Sequence, residues 1–406
     1  MAGPLEGIRI FDMTRILAGP TATQVLADLG ADVIKVERPG TGDDVRGWGP
    51  PYLKDADGNE QPLDSVYFNA ANRGKRSITL NLANADGQAL ARRLIAKCDV
   101  LFENYKVGDL DKYGLGYDQL KGDNPALIYC SLTGFGQDGP YASRAGFDLV
   151  IQAMGGIMSV TGPENGEGVK VGVGIADIMT GMYCNIAILA ALRHRDATGE
   201  GQRLDMSLLD CQVAWLVNEG MNYLYTGERP TPWGSAHATI VPYQSFPTSD
   251  NQRFILAVGN DRQFKRFCEF AGAAELAEDE RFLTNPLRVR NRPACVEAVA
   301  KLTIRQPRAH WLDGLPPLGV PCGPVNGIDQ VFAEPQVMAR AMRIELEHPA
   351  SGKPEPYIAS PIRMEKSPVA YRRAAPTLGQ HTEEVLDELL GLDAGEVGEM
   401  RKRQVL

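Results

Sequence analysis

One carboxylate in the chain, Asp177, combines a residue type and a setting that suit covalent chemistry. A β-type run starts at Val169, ends in glycines, and is predicted to deliver Asp177 to the start of an apolar helix that reaches about Arg195. Gly172 and Gly174 would let a ligand come close, so that Asp177 could attack it as a nucleophile. The alternative is purely structural, because aspartate is also a preferred N-cap residue of helices.

Length and charge limit the classes of function. The chain has 406 residues, which predicts two domains rather than one, and its 44% hydrophobic content suits a large core. A net charge of −9 argues against nucleic acid as the main partner. The sequence shows no run of about 18 apolar residues and no signal peptide, so we expect no membrane span. We expect a cytoplasmic protein, or a mitochondrial-matrix protein in a eukaryote.

The cysteines and histidines predict no metal centre. The seven cysteines are far apart and form no C-x-x-C pair, which favours buried, reduced thiols over disulfides or metal ligands. The five histidines show no metal-ligand spacing. We therefore expect no metal site.

The first residues indicate a β-α-β unit. Residues 8–13 read as a buried strand, 21–29 as a helix that Gly30 ends, and 31–37 as a second strand, which predicts a doubly wound parallel sheet. The G-x-G-x-x-G turn of dinucleotide-binding proteins is absent, which argues against NAD-dependent redox chemistry. Strands and helices keep alternating to residue 150, and polar residues gather where each strand ends.

Changes of composition predict the domain boundaries. We assign residues 1–200 together with 345–406 to a large Rossmann-like domain, 201–225 to a connecting helix, 226–330 to a small domain and 331–344 to a return linker. Residues 39–64 read as one long ordered loop. The predicted fold class is α/β, with a parallel sheet in the large domain and a second, smaller α/β domain.

Several motifs in a fixed order resemble the class III CoA-transferase family, whose members include formyl-CoA transferase and carnitine CoA-transferase. The motifs are PLEGIRIFDMTRILAGP, GADVIKVERPGTGDDVRGWGPP, NRGKRSITLNL, FENYKVGDL, the Asp177 stretch, GVPCGPVN and TLGQHTEEVL. The resemblance implies a large domain built from both chain ends, a small domain between them, and two chains interlocked as a homodimer. It also implies coenzyme A and acyl-CoA as substrates, with no permanently bound cofactor.

The resemblance implies roles for individual residues. Asp177 matches the family's nucleophile, and a position near a helix N-terminus is expected to keep its carboxylate ionised. The positions that match the family's CoA contacts are Leu17, Ala18, Arg38, Leu80, Asn104, Tyr105, Lys106 and Lys112. Formyl-CoA transferase has arginine where this chain has Lys112, a change that keeps the charge but loses the bidentate fork of a guanidinium.

Stretches such as ENYKVGDLDKYGLGYDQL and WGSAHATIVPYQSF resemble family members that act on dicarboxylates. They imply succinyl-CoA as the donor and a dicarboxylate such as glutarate as the acceptor. Formyl-CoA transferase has a glycine-rich lid where this chain has Gly234-Ser235-Ala236-His237, so Gly234 and His237 are predicted to contact the acceptor. The other candidates for acceptor binding are Arg15, Arg46, Arg73, Arg144 and Phe147. We expect Arg46 to set the affinity for the acceptor, although each cation also has a structural interpretation.

Two other functions fit parts of the pattern. The α-methylacyl-CoA racemases of the same superfamily need the histidine of a G-H-D motif to move a proton at Cα. This chain has Gly146-Phe147-Asp148, and a phenyl ring cannot transfer a proton. A non-catalytic CoA-binding protein would keep Arg38 and Asn104 but would not need Asp177 beside glycines.

Overall fold

The computed structural model describes residues 3–164 and 166–406. The strands are β1 (Arg9–Met13), β2 (Asp32–Glu37), β3 (Tyr52–Lys54), β4 (Glu60–Ser65), β5 (Arg76–Thr79), β6 (Val100–Glu103), β7 (Ile128–Thr133), β8 (Gln202–Ser207), β9 (Tyr243–Pro247), β10 (Arg253–Ala257), β11 (Cys322–Pro324), β12 (Arg343–His348) and β13 (Lys353–Ile358). The helices are α1 (Ala18–Asp28), α2 (Val66–Ala70), α3 (Ala85–Ile95), α4 (Asp109–Lys112), α5 (Tyr117–Leu120), α6 (Asp148–Met154), α7 (Ile175–Thr198), α8 (Leu208–Ala214), α9 (Val217–Thr226), α10 (Asp261–Phe270), α11 (Asn285–Arg290), α12 (Arg292–Thr303), α13 (Arg308–Gly314), α14 (Ile328–Ala333), α15 (Pro335–Ala339), α16 (Thr382–Leu390) and α17 (Ala394–Lys402).

These elements form two compact units. The first unit comprises the chain up to Ile157 together with Lys170–Gly227 and Met338–Leu406. The second unit comprises Met158–Val169 and Glu228–Val337. The first unit therefore draws on both ends of the chain, and a short segment before Lys170 belongs to the second unit.

A six-stranded sheet forms the centre of the first unit. Its order is β5-β2-β1-β6-β7-β8, and every neighbouring pair is parallel. The order reverses at β1, which is flanked by β2 on one side and β6 on the other. The loops that follow β1 and β6 leave the same edge of the sheet at this switch point, where doubly wound folds bind ligands. The prediction of an α/β fold with a parallel sheet is confirmed.

Alternate residues of β1 pack on opposite faces of the sheet, as the period of a strand requires. Phe11 belongs to an apolar cluster that includes side chains of α3 and α16, whereas Ile10 belongs to a cluster with α1 and α7. Helices α1 and α7 approach closely because Gly181 has no side chain; a Cβ there would lie 2.6 Å from the Ala18 carbonyl oxygen. The sheet is buried on both faces, which explains the nearly continuous apolar runs of its strands.

Helix α7 qualifies the expectation that the chain contains no membrane span. Among the residues that the structure describes, it is the one helix long and apolar enough to cross a membrane by length and composition. Half of its apolar window is buried inside the protein. Core helices share this composition, and Cys184 and Ile188 of α7 belong to the apolar cluster that includes α1. We therefore interpret α7 as a core helix.

Three predictions of secondary structure are wrong. Residues 169–174 form a loop rather than a β-type run, and the Val171 N–H donates to the Gln152 side chain instead of pairing with a strand. Residues 201–225 form β8, α8 and α9 rather than one connecting helix, because Gln202–Ser207 pairs along β7 at the sheet edge. Residues 39–64 contain the antiparallel hairpin of β3 and β4.

The second unit has its own sheet and its own core. Its strands lie in the order β11-β10-β9, and both neighbouring pairs are antiparallel. An apolar cluster joins this sheet to helices α10, α12 and α13. Trp311 lies at its centre, stacked on Phe254 with ring centroids 6.1 Å apart and in a tilted contact with Phe267 at 6.0 Å.

Candidate active site

A cleft of about 390 Å³ opens at the carboxyl ends of β1, β6 and β7. Its lining residues come from the loops that follow these strands, from the start of α6, and from the first turn of α7. Asp177 lines this cleft together with Asp148 and Phe147. The switch point of the sheet and the candidate nucleophile therefore share one cleft.

Asp177 is not the N-cap of α7, so the structural interpretation drawn from the sequence is wrong. The N-cap residue is Gly174, and Asp177 lies in the first helical turn, partly buried. Across residues 3–164 and 166–406, no side chain or backbone group donates a hydrogen bond to its carboxylate. A carboxylate that stabilises a helix end accepts hydrogen bonds from that end, and Asp177 does not.

The N-terminus of α7 is capped by Asp148 instead. One carboxylate oxygen of Asp148 accepts hydrogen bonds from the backbone N–H of Ala176 at 2.9 Å and of Asp177 at 3.4 Å. The other oxygen accepts from the Gln152 side chain at 2.7 Å. Asp148 precedes Ala176 by 28 residues in the sequence but caps the helix. The Asp177 carboxylate is therefore left available for chemistry. No local pattern in the sequence signals this role of Asp148.

The environment of Asp177 opposes its ionisation. Burial, and then the negative charge of Asp148, raise the pKa of Asp177 to about 7. Burial also raises the pKa of the Tyr67 phenol, and the negative charges of Asp177 and Asp148 raise it further. Tyr67 therefore lies near both carboxylates. The helix N-terminus was expected to keep Asp177 ionised, but desolvation and a like charge outweigh the helix dipole, so the carboxyl is only partly ionised at neutral pH. A carboxyl with such a pKa is typical of functional sites.

This pKa predicts an acidic limb in the pH profile of any reaction in which Asp177 is the nucleophile. A carboxyl group attacks only when it is ionised, so kcat/KM is then expected to fall as the pH drops through about 7. Replacing Asp148 with asparagine keeps an oxygen for the cap but removes the charge, so the limb should move to lower pH. Steady-state rates from pH 5 to 9 measure the shift. Asp44→Asn, which changes another carboxylate of the same cleft, is the control, and a limb that moves equally in both variants would contradict this account.

Five of the residues predicted to bind CoA line the same cleft. They are Leu17, Ala18, Asn104, Tyr105 and Lys106. Asn104 ties the two strand-end loops together, because its amide accepts from the Arg15 N–H and donates to the Arg15 carbonyl oxygen, both at 2.9 Å. The loops after β1 and β6 are therefore held in a fixed geometry beside Asp177.

A second cleft, of about 160 Å³, adjoins the first. Arg38 and Leu80 line it, and Arg15 and Tyr105 line both clefts. The Asp44 carboxylate joins the two arginines, at 3.2 Å from Arg15 and 2.7 Å from Arg38. The two clefts together offer an elongated, partly cationic path that ends at Asp177. Lys112 lies outside both clefts, exposed and paired with Asp109 at 2.7 Å, so the structure does not bring it to this path.

Arg46 is a structural residue, which corrects its predicted contact with the acceptor. Its side chain is fully buried, and its guanidinium donates to both carboxylate oxygens of Glu37 at 2.7 Å. The remaining donors go to Asp64 and to the carbonyl oxygens of Leu63 and Pro376. All five N–H groups of the guanidinium are used, and none is left for a substrate.

The buried pair of Glu37 and Arg46 supports the loop beside the cleft. Glu37 accepts from the Asp43 N–H, and Asp43 in turn forms a buried ion pair with Lys35 at 2.8 Å. Asp43 also accepts from the N–H of Ile16, a β-branched residue held at φ 73°. Such backbone strain is found where surrounding structure over-determines a functional loop, and Ile16 lines the cleft.

The predicted acceptor residues are divided between the units. Phe147 lines the cleft with Asp177 and is 60% exposed, so its ring is available to a ligand. Gly234 and His237 belong to the second unit, where the Gly234 N–H donates to Gly162 and the His237 ring packs edge-on against Tyr243. Their predicted contact with an acceptor stays a prediction. Trp48 also lines the cleft, a position that was not predicted from the sequence. Its ring packs edge-on against Tyr67.

The cysteines and acidic residues form no metal centre in the part of the chain that the structure describes. All seven cysteines are free, and all but Cys322 are buried. Burial raises the pKa of Cys268 and Cys295 to about 12, which makes these thiols inert at neutral pH. No cysteine lines the cleft with Asp177 in the part of the chain that the structure describes.

Comparison with known proteins assigns this arrangement to a family. Residues 5–382 match the sequence profile of CoA-transferase family III. The chain belongs to this family. The chain is 49% identical over 386 residues to succinate–glutarate CoA-transferase of Agrobacterium fabrum, covering 95% of this chain and 96% of that protein. It is 43% identical to human succinyl-CoA:glutarate CoA-transferase, covering 98% of this chain and 88% of the human protein.

The fold of this CoA-transferase also matches a solved structure. A crystal structure of a CAIB/BAIF family protein from Brucella suis superposes with a TM-score of 0.84 at 48% identity. The match covers 96% of this chain and 100% of the other. The predicted resemblance to class III CoA-transferases is confirmed, and the chain is an enzyme of that class.

Proposed function

We propose that this CoA-transferase moves CoA from succinyl-CoA to glutarate, with Asp177 as the covalent nucleophile. The observation that carries the proposal is the Asp177 carboxylate, which accepts no hydrogen bond within the described ranges and lines one cleft with Leu17, Ala18 and the 104–106 turn. The substrates are those in the names of the relatives at 43–49% identity. CoA thioesters enter as substrates, through the two adjoining clefts.

The proposed chemistry conserves the energy of the thioester. The Asp177 carboxylate attacks the succinyl carbonyl carbon, which forms a mixed anhydride and expels the CoA thiolate. The thiolate then attacks the Asp177 acyl carbon, which releases succinate and leaves an aspartyl-CoA thioester. Glutarate repeats both steps in reverse order, so that glutaryl-CoA leaves and the free carboxylate returns. Each step exchanges one acyl–oxygen bond for one acyl–sulfur bond or the reverse, and no ATP is needed.

The location of Asp177 suits these steps. A partly buried site limits the access of water, which would hydrolyse the anhydride. The pKa of about 7 balances nucleophilicity against ionisation. A more basic carboxylate is a better nucleophile, and at this pKa half of the molecules are still ionised at neutral pH.

A homodimer is part of the proposal. Helix α9 of the first unit exposes Met221, Leu224 and Tyr225, the last with 91% of its surface accessible. An apolar helix face of this kind is typical of a protein–protein interface. A second copy of the chain is the occupant that the resemblance to the family implies, and sedimentation velocity at micromolar concentration would test it.

An acceptor panel tests the proposed substrates. Purified protein is incubated with succinyl-CoA and one of glutarate, oxalate, malate, itaconate or carnitine, and new acyl-CoA is identified by liquid chromatography and mass spectrometry. We expect glutaryl-CoA to form fastest. Transfer to another acceptor at a higher kcat/KM would replace glutarate. The absence of any transfer, with solvent deuterium entering the Cα of a 2-methylacyl-CoA, would favour the racemase alternative.

A further inference from the structure

A dicarboxylate needs a cation to bind the carboxylate that does not react. The structure reduces the number of cationic side chains that could do so. Two of the candidate arginines are buried and engaged: Arg46 with Glu37, and Arg73 with Asp28 at 2.6 Å. The cationic side chains that line the cleft with Asp177 are Arg15, Lys106 and Arg144.

Arg144 differs from the other two cations of the cleft. Arg15 is already paired with Asp44. Lys106, like its neighbours Asn104 and Tyr105, matches a position that contacts CoA in the family. Among the described residues, the Arg144 guanidinium has neither an ion-pair partner nor a hydrogen-bond acceptor. Arg15 uses one guanidinium nitrogen on Asp44, whereas all the side-chain donors of Arg144 remain free for a carboxylate in the described part of the chain.

The position of the Arg144 guanidinium is fixed by an aromatic ring. Its central carbon lies 3.9 Å from the ring centroid of Tyr141, and Tyr141 packs edge-on against Phe135 at 5.7 Å. Stacking on a ring leaves the N–H groups at the edge of the guanidinium free, and these groups match the two oxygens of a carboxylate. Less rotamer freedom is then lost when the guanidinium binds an anion.

The backbone between Arg144 and Asp148 connects this cation to the nucleophile. Four residues span at most about 14 Å, and Asp148 is bonded directly to the first turn of α7. The segment is held at its middle, because Gly146 touches Gly134; a Cβ on Gly146 would lie 2.3 Å from the Gly134 Cα. This short, anchored segment therefore keeps the Arg144 guanidinium in the same cleft as the Asp177 carboxylate.

We propose that Arg144 binds the distal carboxylate of the dicarboxylate while its other carboxyl group reacts at Asp177. This inference rests on the proposed transfer chemistry, and it makes Arg144 the residue that selects dicarboxylates over monocarboxylates. The same contact serves the succinyl group of the donor and the glutarate acceptor, since both carry a free carboxylate beyond a short methylene chain. The donated hydrogen bonds are charge-assisted and matched in geometry.

Internal competition tests the selectivity directly. Wild type, Arg144→Gln and Arg144→Lys each receive succinyl-CoA with equal glutarate and valerate, a monocarboxylate of the same length. The ratio of glutaryl-CoA to valeryl-CoA reports the acceptor step alone, because the donor step is common to both products. We expect Arg144→Gln to lower the ratio by about 10- to 100-fold, the effect of losing a charge-assisted contact, and Arg144→Lys to restore part of it. The KM for glutarate should rise more than kcat falls.

The matched control is Arg15→Gln, which removes the same charge from the same cleft and should leave the product ratio unchanged. A ratio unchanged in Arg144→Gln, with a KM for glutarate within about twofold of wild type, would overturn the role of Arg144 while the proposed transfer stands. Equal losses for both acceptors would also overturn it, by placing Arg144 on the shared CoA moiety. No transfer by the wild type would remove the proposed function and this inference together.

Discussion

Asp177→Asn is expected to lower kcat for CoA transfer by at least about a thousandfold, because an amide cannot form the mixed anhydride that the proposed mechanism requires. The substitution is nearly isosteric, and the carboxylate that it replaces accepts no hydrogen bond within the residues described. The loss should therefore lie in kcat, with little change in the affinity for succinyl-CoA. Steady-state rates and a direct binding titration with succinyl-CoA separate the two quantities.

The stability of Asp177→Asn provides the control for this loss. The pKa of Asp177 in the folded protein, about 7, lies above the ordinary pKa of an aspartate, so ionisation at neutral and higher pH destabilises the fold. Removing the charge is then expected to leave the melting temperature at pH 8 unchanged or higher. A variant that retains more than a tenth of wild-type kcat would contradict covalent catalysis by Asp177. A variant that binds no succinyl-CoA would instead indicate a role in binding.

Arg46→Ala is expected to lower the free energy of unfolding by about 3–5 kcal/mol, the cost of breaking one partner of a buried ion pair. Glu37 would be left buried with its charge unpaired, and the cation–π contact of Arg46 on Phe68, at 3.6 Å, would also be lost. Chemical denaturation of the variant and of wild type measures the difference. The remaining folded protein should keep the wild-type KM for glutarate.

Arg92→Ala is the matched control for Arg46→Ala. Arg92 also forms an ion pair at 2.7 Å, with Asp123, but both side chains are about half exposed. An exposed pair of this kind contributes about 0–1 kcal/mol, so this variant should unfold close to wild type. If Arg46→Ala were as stable as Arg92→Ala and raised the KM for glutarate, Arg46 would have the substrate role that its burial excludes.

The parallel sheet and the location of its site could be predicted from the sequence because both depend on local patterns. The strand that contains Phe11 and the strand ending at Glu37 are apolar runs, and a helix of about ten residues between them requires a right-handed parallel crossover. Polar residues that follow parallel strands, such as Asn104 after β6, meet at one edge of the sheet.

The electrostatic roles could not be predicted, because they depend on pairs distant in sequence. Nothing near Arg46 shows that its guanidinium meets Pro376, which lies 330 residues further along the chain. The pattern around Asp177 resembles an N-cap, and only the packing of Asp148 against Ala176 shows that another carboxylate has that role. Burial also raises the pKa of Asp177, which the sequence could not reveal because desolvation depends on tertiary structure.

Covalent catalysis by Asp177 can be tested by mass spectrometry of the peptide that contains this residue. Wild-type enzyme is mixed with succinyl-CoA without acceptor, quenched in acid within the first turnovers and digested. The proposed mechanism predicts an adduct on Asp177 with the mass of CoA less one water. This adduct should disappear when glutarate is added before the quench. Rapid transfer without any adduct, or an adduct on a different residue, would contradict the role of Asp177 as the covalent nucleophile.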